Sequence, residues 1–336
     1  MDYTQLGNSG LTVSRLALGA MTFGRYSFAA FHARVDQQAA DQMVGVALDA
    51  GVNLFDTAEG YGNGQSEEVL GAAIRKTKAR DRVVIATKVS TFDAGPQDPD
   101  RARMSYRHVV GNAEAAVRRL GTDWIDLYQL HAPDFVTPWE ETLRALEDLV
   151  SRGLVRYVGW SNVPAWHAAR GEGIQRQRGY APFVSAQIYY SLAGRDAEHE
   201  ILPYCRAAGL GTLVWSPLAG GFLTGKYTRD DPSGGGGRRA EFRVPPVDLE
   251  LGYDIVGKMR DIAGHHGIPV AHVAYAWLLA KPGVSSVIVG STSPEQLAGN
   301  LAAADLKLAD EEVAALDAMG PPAPIYPDPR WLTSGA

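Results

Sequence analysis

Residues 52–61, VNLFDTAEGY, hold the reading that decides the fold. Val52–Phe55 is a short apolar run of strand length that ends on Asp56, and a loop then carries the chain to Tyr61. On its N-terminal side, Gln37–Ala50 reads as a helix, with Met43, Val46, Ala47 and Ala50 on one face and Gly51 as its stop. On its C-terminal side, Ser66–Lys76 reads as a second helix, with Glu67 and Glu68 in the first turn where the helix dipole favours acids. The same unit recurs outward in both directions. Leu16–Gly19, Val83–Thr87, Ile125–Leu130, Val155–Trp160, Phe183–Gln187, Gly211–Trp215 and Ser285–Val289 are the other strand candidates. Helices are expected over Tyr106–Leu120, Glu198–Ala208, Val270–Ala280 and Asp310–Met319. Another, ending near Ser151, is opened by a capping box of Thr137, Pro138 and Glu140. Ser293, Pro294 and Gln296 open one more by the same logic.

Eight strand–helix repeats with no break in composition predict a closed parallel barrel, an α/β (β/α)₈ TIM barrel, as a single domain over residues 1–336. Residues 217–252 read as a long lid-like loop containing the low-complexity run Ser233–Gly237, and residues 321–336 as a Pro-rich C-terminal tail that includes Trp331. Tyr26–Arg34 reads as an insertion after the first strand.

Bulk properties narrow the function. The formal net charge is −6, from 38 acidic and 32 basic residues, and no Lys/Arg cluster with interleaved aromatics appears, which argues against nucleic acid as a partner. No apolar run approaches the roughly 18 residues that span a bilayer, so no membrane association is expected, and Met1–Gly10 lacks the pattern of a signal peptide. The one cysteine, Cys205, reads as a buried small residue and suits a cytoplasmic location. G-x-G-x-x-G, P-loop and H-E-x-x-H motifs are absent, the histidines are scattered, and no metal site is expected.

What remains is a set of polar residues at strand ends. Asp56, Lys88 and His131 follow the second, third and fourth strands, and Tyr61 lies in the loop after the second. In a barrel these ends converge on one face. Hydride addition to a carbonyl makes an alkoxide that needs a proton. A tyrosine can supply it, with an ammonium nearby to ease its ionisation, a carboxylate to keep that ammonium charged, and a histidine to hold the oxygen. A Schiff-base role for Lys88 is the less suited alternative, because it needs a neutral amine.

In order along the chain, Leu6–Ser14, Asn53–Ala58 with Tyr61-Gly62 and Ser66-Glu67, Asp126–His131, Gly159-Trp160-Ser161-Asn162, and Val289–Leu297 with Asn300 resemble the segments of the aldo-keto reductase family. The resemblance covers essentially the whole chain. It implies an N-terminal β-hairpin plugging the barrel bottom, extra C-terminal helices, and NAD(P)H-dependent reduction of a small-molecule aldehyde or ketone. Tyr61 would be the general acid, Lys88 its modulator, Asp56 the lysine's partner and His131 the orienting residue. Ser161, Asn162 and Gln187 would hold the nicotinamide carboxamide and Trp215 would stack on its ring. Ser216, Leu218, Gly220 and Lys226 would follow the pyrophosphate, and Gly290, Ser291, Gln296 and Asn300 would hold the adenosine end. Many relatives that prefer NADPH carry an arginine after the glycine matched by Gly290. Here the chain reads Ser291-Thr292-Ser293; the family tendency implies NADPH, and the departure from arginine keeps NADH as an alternative. Met21, Phe23, Phe92 and Trp160 are expected to form an apolar substrate wall. The barrel would work as a monomer or a homo-oligomer. Potassium-channel beta subunits resemble the same family, so a cofactor-binding regulatory protein is the competing function.

Overall fold

In the computed structural model, which describes residues 1–28, 31–91, 103–236, 238–240 and 242–326, all eight expected strands form. They are β3 (Leu16–Gly19), β6 (Leu54–Asp56), β7 (Val84–Val89), β8 (Ile125–Leu130), β9 (Val155–Ser161), β10 (Phe183–Tyr189), β11 (Gly211–Trp215) and β12 (Val284–Gly290). Each pairs in parallel with its neighbour, and β12 returns to β3 through Val287↔Leu16 and Gly290↔Gly19, which closes the barrel. Two short antiparallel hairpins flank it: β1 (Tyr3–Gln5) with β2 (Thr12–Ser14), and β4 (Ser27–Phe28) with β5 (Phe31–His32) within the insertion after the first barrel strand.

The strand alternation decides what each residue faces. Leu54, Val84, Ala86, Leu127, Leu213 and Ile288 point into the lumen, where Leu6 and Val13 of the first hairpin meet them from below. The plug sits close: Asn8 N–H donates to Gly209 C=O at 2.7 Å. Gly7 has φ +59°, and a Cβ there would come within 2.5 Å of the Gly209 oxygen. The intervening residues, among them Phe55, Ile85, Tyr128, Val158 and Trp160, face outward into a larger core shared with the helices.

That helical layer comprises α1 (Gln37–Asp49), α2 (Gln65–Thr77), α3 (Tyr106–Leu120), α4 (Trp139–Ser151), α5 (Ala165–Arg178), α6 (Ile201–Ala208), α7 (Leu249–His266), α8 (Val270–Leu279), α9 (Pro294–Leu301) and α10 (Asp310–Asp317). Asp36, Ser105, Asp248 and Ser293 cap α1, α3, α7 and α9 with side-chain oxygens. The capping box expected at Thr137 does not form. Asp134 accepts the Thr137 hydroxyl, and α4 opens from Pro138 without a side-chain cap. The stretch read as a loop to Gly252 ends earlier, at Asp248, and contains 3₁₀ turns over Ala219–Thr224 and Arg238–Ala240. Asp231 organises the glycine-rich run by accepting from Ser233 and from Gly235 N–H at 2.9 Å. Cys205 is buried, and burial pushes its thiol up to about 12. No described helix is long and apolar enough to cross a membrane.

Candidate active site

The two-residue alternation that fills the lumen also loads its upper rim. Leu54 points inward, so Asp56 does; Ala86 is followed by Lys88, Gln129 by His131, Gly159 by Ser161, and Leu213 by Trp215. Asp56, Lys88 and His131 thus come from three adjacent strands to one rim. Lys88 Nζ donates to Asp56 Oδ1 at 2.6 Å and to the Thr57 carbonyl at 2.8 Å, and the lysine is completely buried. The other carboxylate oxygen, Asp56 Oδ2, accepts Gln187 Nε2 at 2.7 Å from across the barrel. Tyr61 leans over this pair from the loop above β6. Its ring centroid lies 5.2 Å from Lys88 Nζ and 5.6 Å from the His131 imidazole, which it meets edge to face at 82°.

Burial dominates the electrostatics. It lowers Lys88 below its ordinary value, with Asp56 pulling the other way. It drives His131 well below the usual histidine range, assisted by the Lys88 charge, so the imidazole is neutral at physiological pH. Tyr61 is pushed up, first by burial and then by the Asp56 carboxylate; the charge acting against that rise is Arg238. The sequence suggested the opposite direction, with Lys88 easing Tyr61 ionisation. The difference has a physical cause: Lys88 lies over the ring face and is already committed to Asp56, while the phenol loses its water.

Behind Lys88 stands a carboxylate that the sequence placed as a first-turn acid in a family-like segment, with no role of its own. Glu67 is fully buried; Thr87 Oγ1 donates to its Oε1 at 2.6 Å and Arg119 Nε to its Oε2 at 2.5 Å. The dipeptide Thr87-Lys88 sends one side chain to Glu67 and the next to Asp56, a pairing that no local sequence signal announces. Among the described residues no cluster of His, Cys, Asp and Glu could hold a metal.

A family model described as "Aldo/keto reductase family" matches residues 15–321. This chain belongs to that family. An "Uncharacterized oxidoreductase YrpG" of Bacillus subtilis is 37% identical over all of this chain and 99% of its own length. A "Versiconal hemiacetal acetate reductase" of Aspergillus parasiticus is 33% identical, over 98% of this chain and 100% of its own. A "Probable voltage-gated potassium channel subunit beta" of Arabidopsis thaliana is 36% identical, over 91% of this chain and 92% of its own. Membership in the aldo-keto reductases carries oxidoreductase chemistry on small-molecule carbonyl compounds with a nicotinamide cofactor.

The residues present fit such a cofactor. Three non-glycine residues adopt the left-handed conformation at the same rim: Asn162 (φ 57°), Ser216 (φ 52°) and Ala219 (φ 50°). Strain of this kind gathers at binding sites. Asn162 is held from all sides: its amide donates to the His131 carbonyl at 3.1 Å and to Ser161 Oγ at 2.8 Å, and its Oδ1 accepts Trp215 Nε1 at 2.9 Å. Trp215 is half-buried against Tyr189, ring centroids 5.2 Å apart. Gly220 N–H donates to Ser216 Oγ at 2.9 Å, and a Cβ on Gly220 would meet the Val244 carbonyl at 2.9 Å. Leu218 is half-buried beside this turn and Lys226 is exposed beyond it, over the Tyr227 ring. After Gly290, buried Ser291 accepts Asn300 Nδ2 at 3.2 Å, and Gln296 Oε1 accepts Thr292 N–H at 2.8 Å. These groups surround the N-terminus of α9, which opens on Pro294 and where Ser293 Oγ accepts the Gln296 N–H at 3.2 Å.

The expected apolar wall fares differently. Met21 is half-buried at the rim. Phe23 and Trp160 are wholly buried in the outer core, and Trp160 stacks at 6.5 Å on Tyr204 of α6. Trp160 precedes lumen-facing Ser161, so alternation turns it outward. Neither residue lines an opening. Phe92 lies outside the described residues.

Proposed function

We propose that this aldo-keto reductase reduces an aldehyde or ketone to its alcohol, reversibly, with NADPH as preferred donor and NADH as the alternative, and that Tyr61 delivers the proton. The observation that carries this reading is the meeting of Tyr61, Lys88, Asp56 and His131 at one rim, with Trp215 and Asn162 beside them. The cofactor, when bound, supplies the hydride. Neutral His131 donates a hydrogen bond to the carbonyl oxygen and fixes it near the Tyr61 hydroxyl. As negative charge grows on that oxygen, the phenol proton moves to it. A raised phenol is still competent, because the developing alkoxide is a strong base comparable to hydroxide and takes the proton from it. Lys88, kept charged by Asp56, stabilises the phenolate left behind, and Gln187 holds Asp56 in place. Ser161, Asn162 and Gln187 orient the carboxamide. The hydroxyls of Ser291, Thr292 and Ser293 receive the adenosine phosphate.

Titration of the purified protein with NADPH and then NADH, read by quenching of tryptophan fluorescence, tests the reading. Saturable quenching together with carbonyl-dependent oxidation of the donor is the expected result, and absence of binding by either overturns it. The channel-subunit relative supports a second reading, a cofactor-binding regulatory protein. Tight cofactor retention with negligible turnover on any carbonyl would favour it.

A further inference from the structure

The chain is acidic overall, yet arginines gather beside the Tyr61 loop. A cleft of about 560 Å³ is lined by Arg25, Tyr26, Ser27, Ala33 and Arg34. Tyr26 joins it to the catalytic loop, because its ring lies so close over Gly62 that a Cβ there would come within 2.5 Å of the ring. The segment is pinned by its backbone: Ala33 N–H donates to Tyr26 C=O at 2.8 Å, Gly24 N–H to Val35 C=O at 2.7 Å, and Tyr26 Oη to Met21 C=O. Arg25 and Arg34 are exposed. The carboxylate facing Arg25 is Asp36 at 3.4 Å, a solvent-exposed pair of the kind that contributes little. Arg238, stacked over the Phe242 ring at 5.2 Å, is near enough for its charge to act on both the Tyr61 and Tyr26 hydroxyls. A molecule with its carbonyl at Tyr61 and its other end along Tyr26 therefore runs into a concentration of guanidinium groups, which grip planar anions.

We propose that Arg34, Arg25 and Arg238 form an anion subsite that selects carbonyl substrates carrying a carboxylate or phosphate remote from the reacting carbon. The substrate part of this inference rests on the carbonyl-reductase reading; the subsite itself does not. The test compares 4-carboxybenzaldehyde with its methyl ester at saturating reduced cofactor, in the wild type and in Arg34→Ala and Arg238→Ala. The wild type should favour the carboxylate, and the kcat/KM ratio of acid to ester should fall about tenfold or more in each variant, as loss of a charge-assisted contact implies. Added salt should erode the wild-type preference. An unchanged ratio overturns the proposal. So does a loss confined to cofactor affinity, which would assign the arginines to the cofactor's phosphates. Binding of benzene-1,4-dicarboxylate, read by tryptophan fluorescence, separates the two readings. If neither aldehyde is reduced, the reductase reading fails; the subsite then stands if dicarboxylate binding weakens in the variants and falls if it does not.

Discussion

Tyr61 holds its proton more firmly than a phenol in water, and His131 refuses one more firmly than a free imidazole. Both shifts move titration out of the neutral range. The rate should therefore be flat with pH through neutrality and fall only in alkaline buffer, where Lys88, held below its ordinary value by burial, loses its charge before Tyr61 ionises; a bell centred near neutrality would contradict the assignment. Tyr61→Phe removes the donor and leaves the rim intact. We expect kcat to fall by about 10²–10⁴-fold with cofactor affinity nearly unchanged, measured by steady-state rates beside fluorescence titration. Lys88→Met acts differently, since it strands Asp56 as a buried, unneutralised carboxylate. Breaking such a pair costs about 3–5 kcal/mol, so activity and melting temperature should drop together. Adding Asp56→Asn should restore much of the stability and none of the rate. Of these residues, Asp56, Lys88 and His131 were legible because each follows a short apolar run, and Tyr61 because it lies in the loop just beyond one. The Gln187–Asp56 bond was not, since 131 positions separate its ends, and neither was burial of Glu67, which depends on how α2 and α3 flank β7.

At the level of elements, apolar runs bounded by glycine and polar residues marked every barrel strand, because a strand buried on both faces has little choice of composition. The phase of a strand was harder to read. One residue of slip exchanges lumen for outer core, and it turned Trp160 from an expected pocket wall into packing against Tyr204. Helix α7 went unread over most of its length: Gly252, Gly257 and Gly264 interrupt it, and it follows a proline-rich loop. The first hairpin offers a sharp test. Gly7→Ala places a Cβ against the Gly209 oxygen in a left-handed backbone. It should destabilise the protein by about 1–3 kcal/mol, seen as an earlier thermal transition, while the turnover of correctly folded enzyme stays close to wild type. Equal stability would mean that the plug can shift without cost.

For the molecule as a whole, the buried neutral histidine ties stability to pH. The folded-state value of His131 is depressed, so its contribution is present above about 6.5 and is lost as pH falls toward the folded value, where only the unfolded chain takes up the proton. Melting temperature should decline in mildly acidic buffer, and His131→Gln should decline less steeply; parallel curves would exclude the linkage. His167, also depressed by burial, adds a smaller slope of the same sign. The sequence made the closed barrel readable through repetition, but not the arginine cleft, whose parts lie some two hundred residues apart on separate loops. Closure itself has a further consequence. The seam joins Gly290 to Gly19, so the first barrel strand waits for the last. Lys88 and Asp56 lie in the first third of the chain, whereas Gln187, Trp215 and β12, which complete the wall around them, lie in its second half. A chain cut short before β12 would leave that ion pair beside an open seam, so activity should report the presence of the last strand.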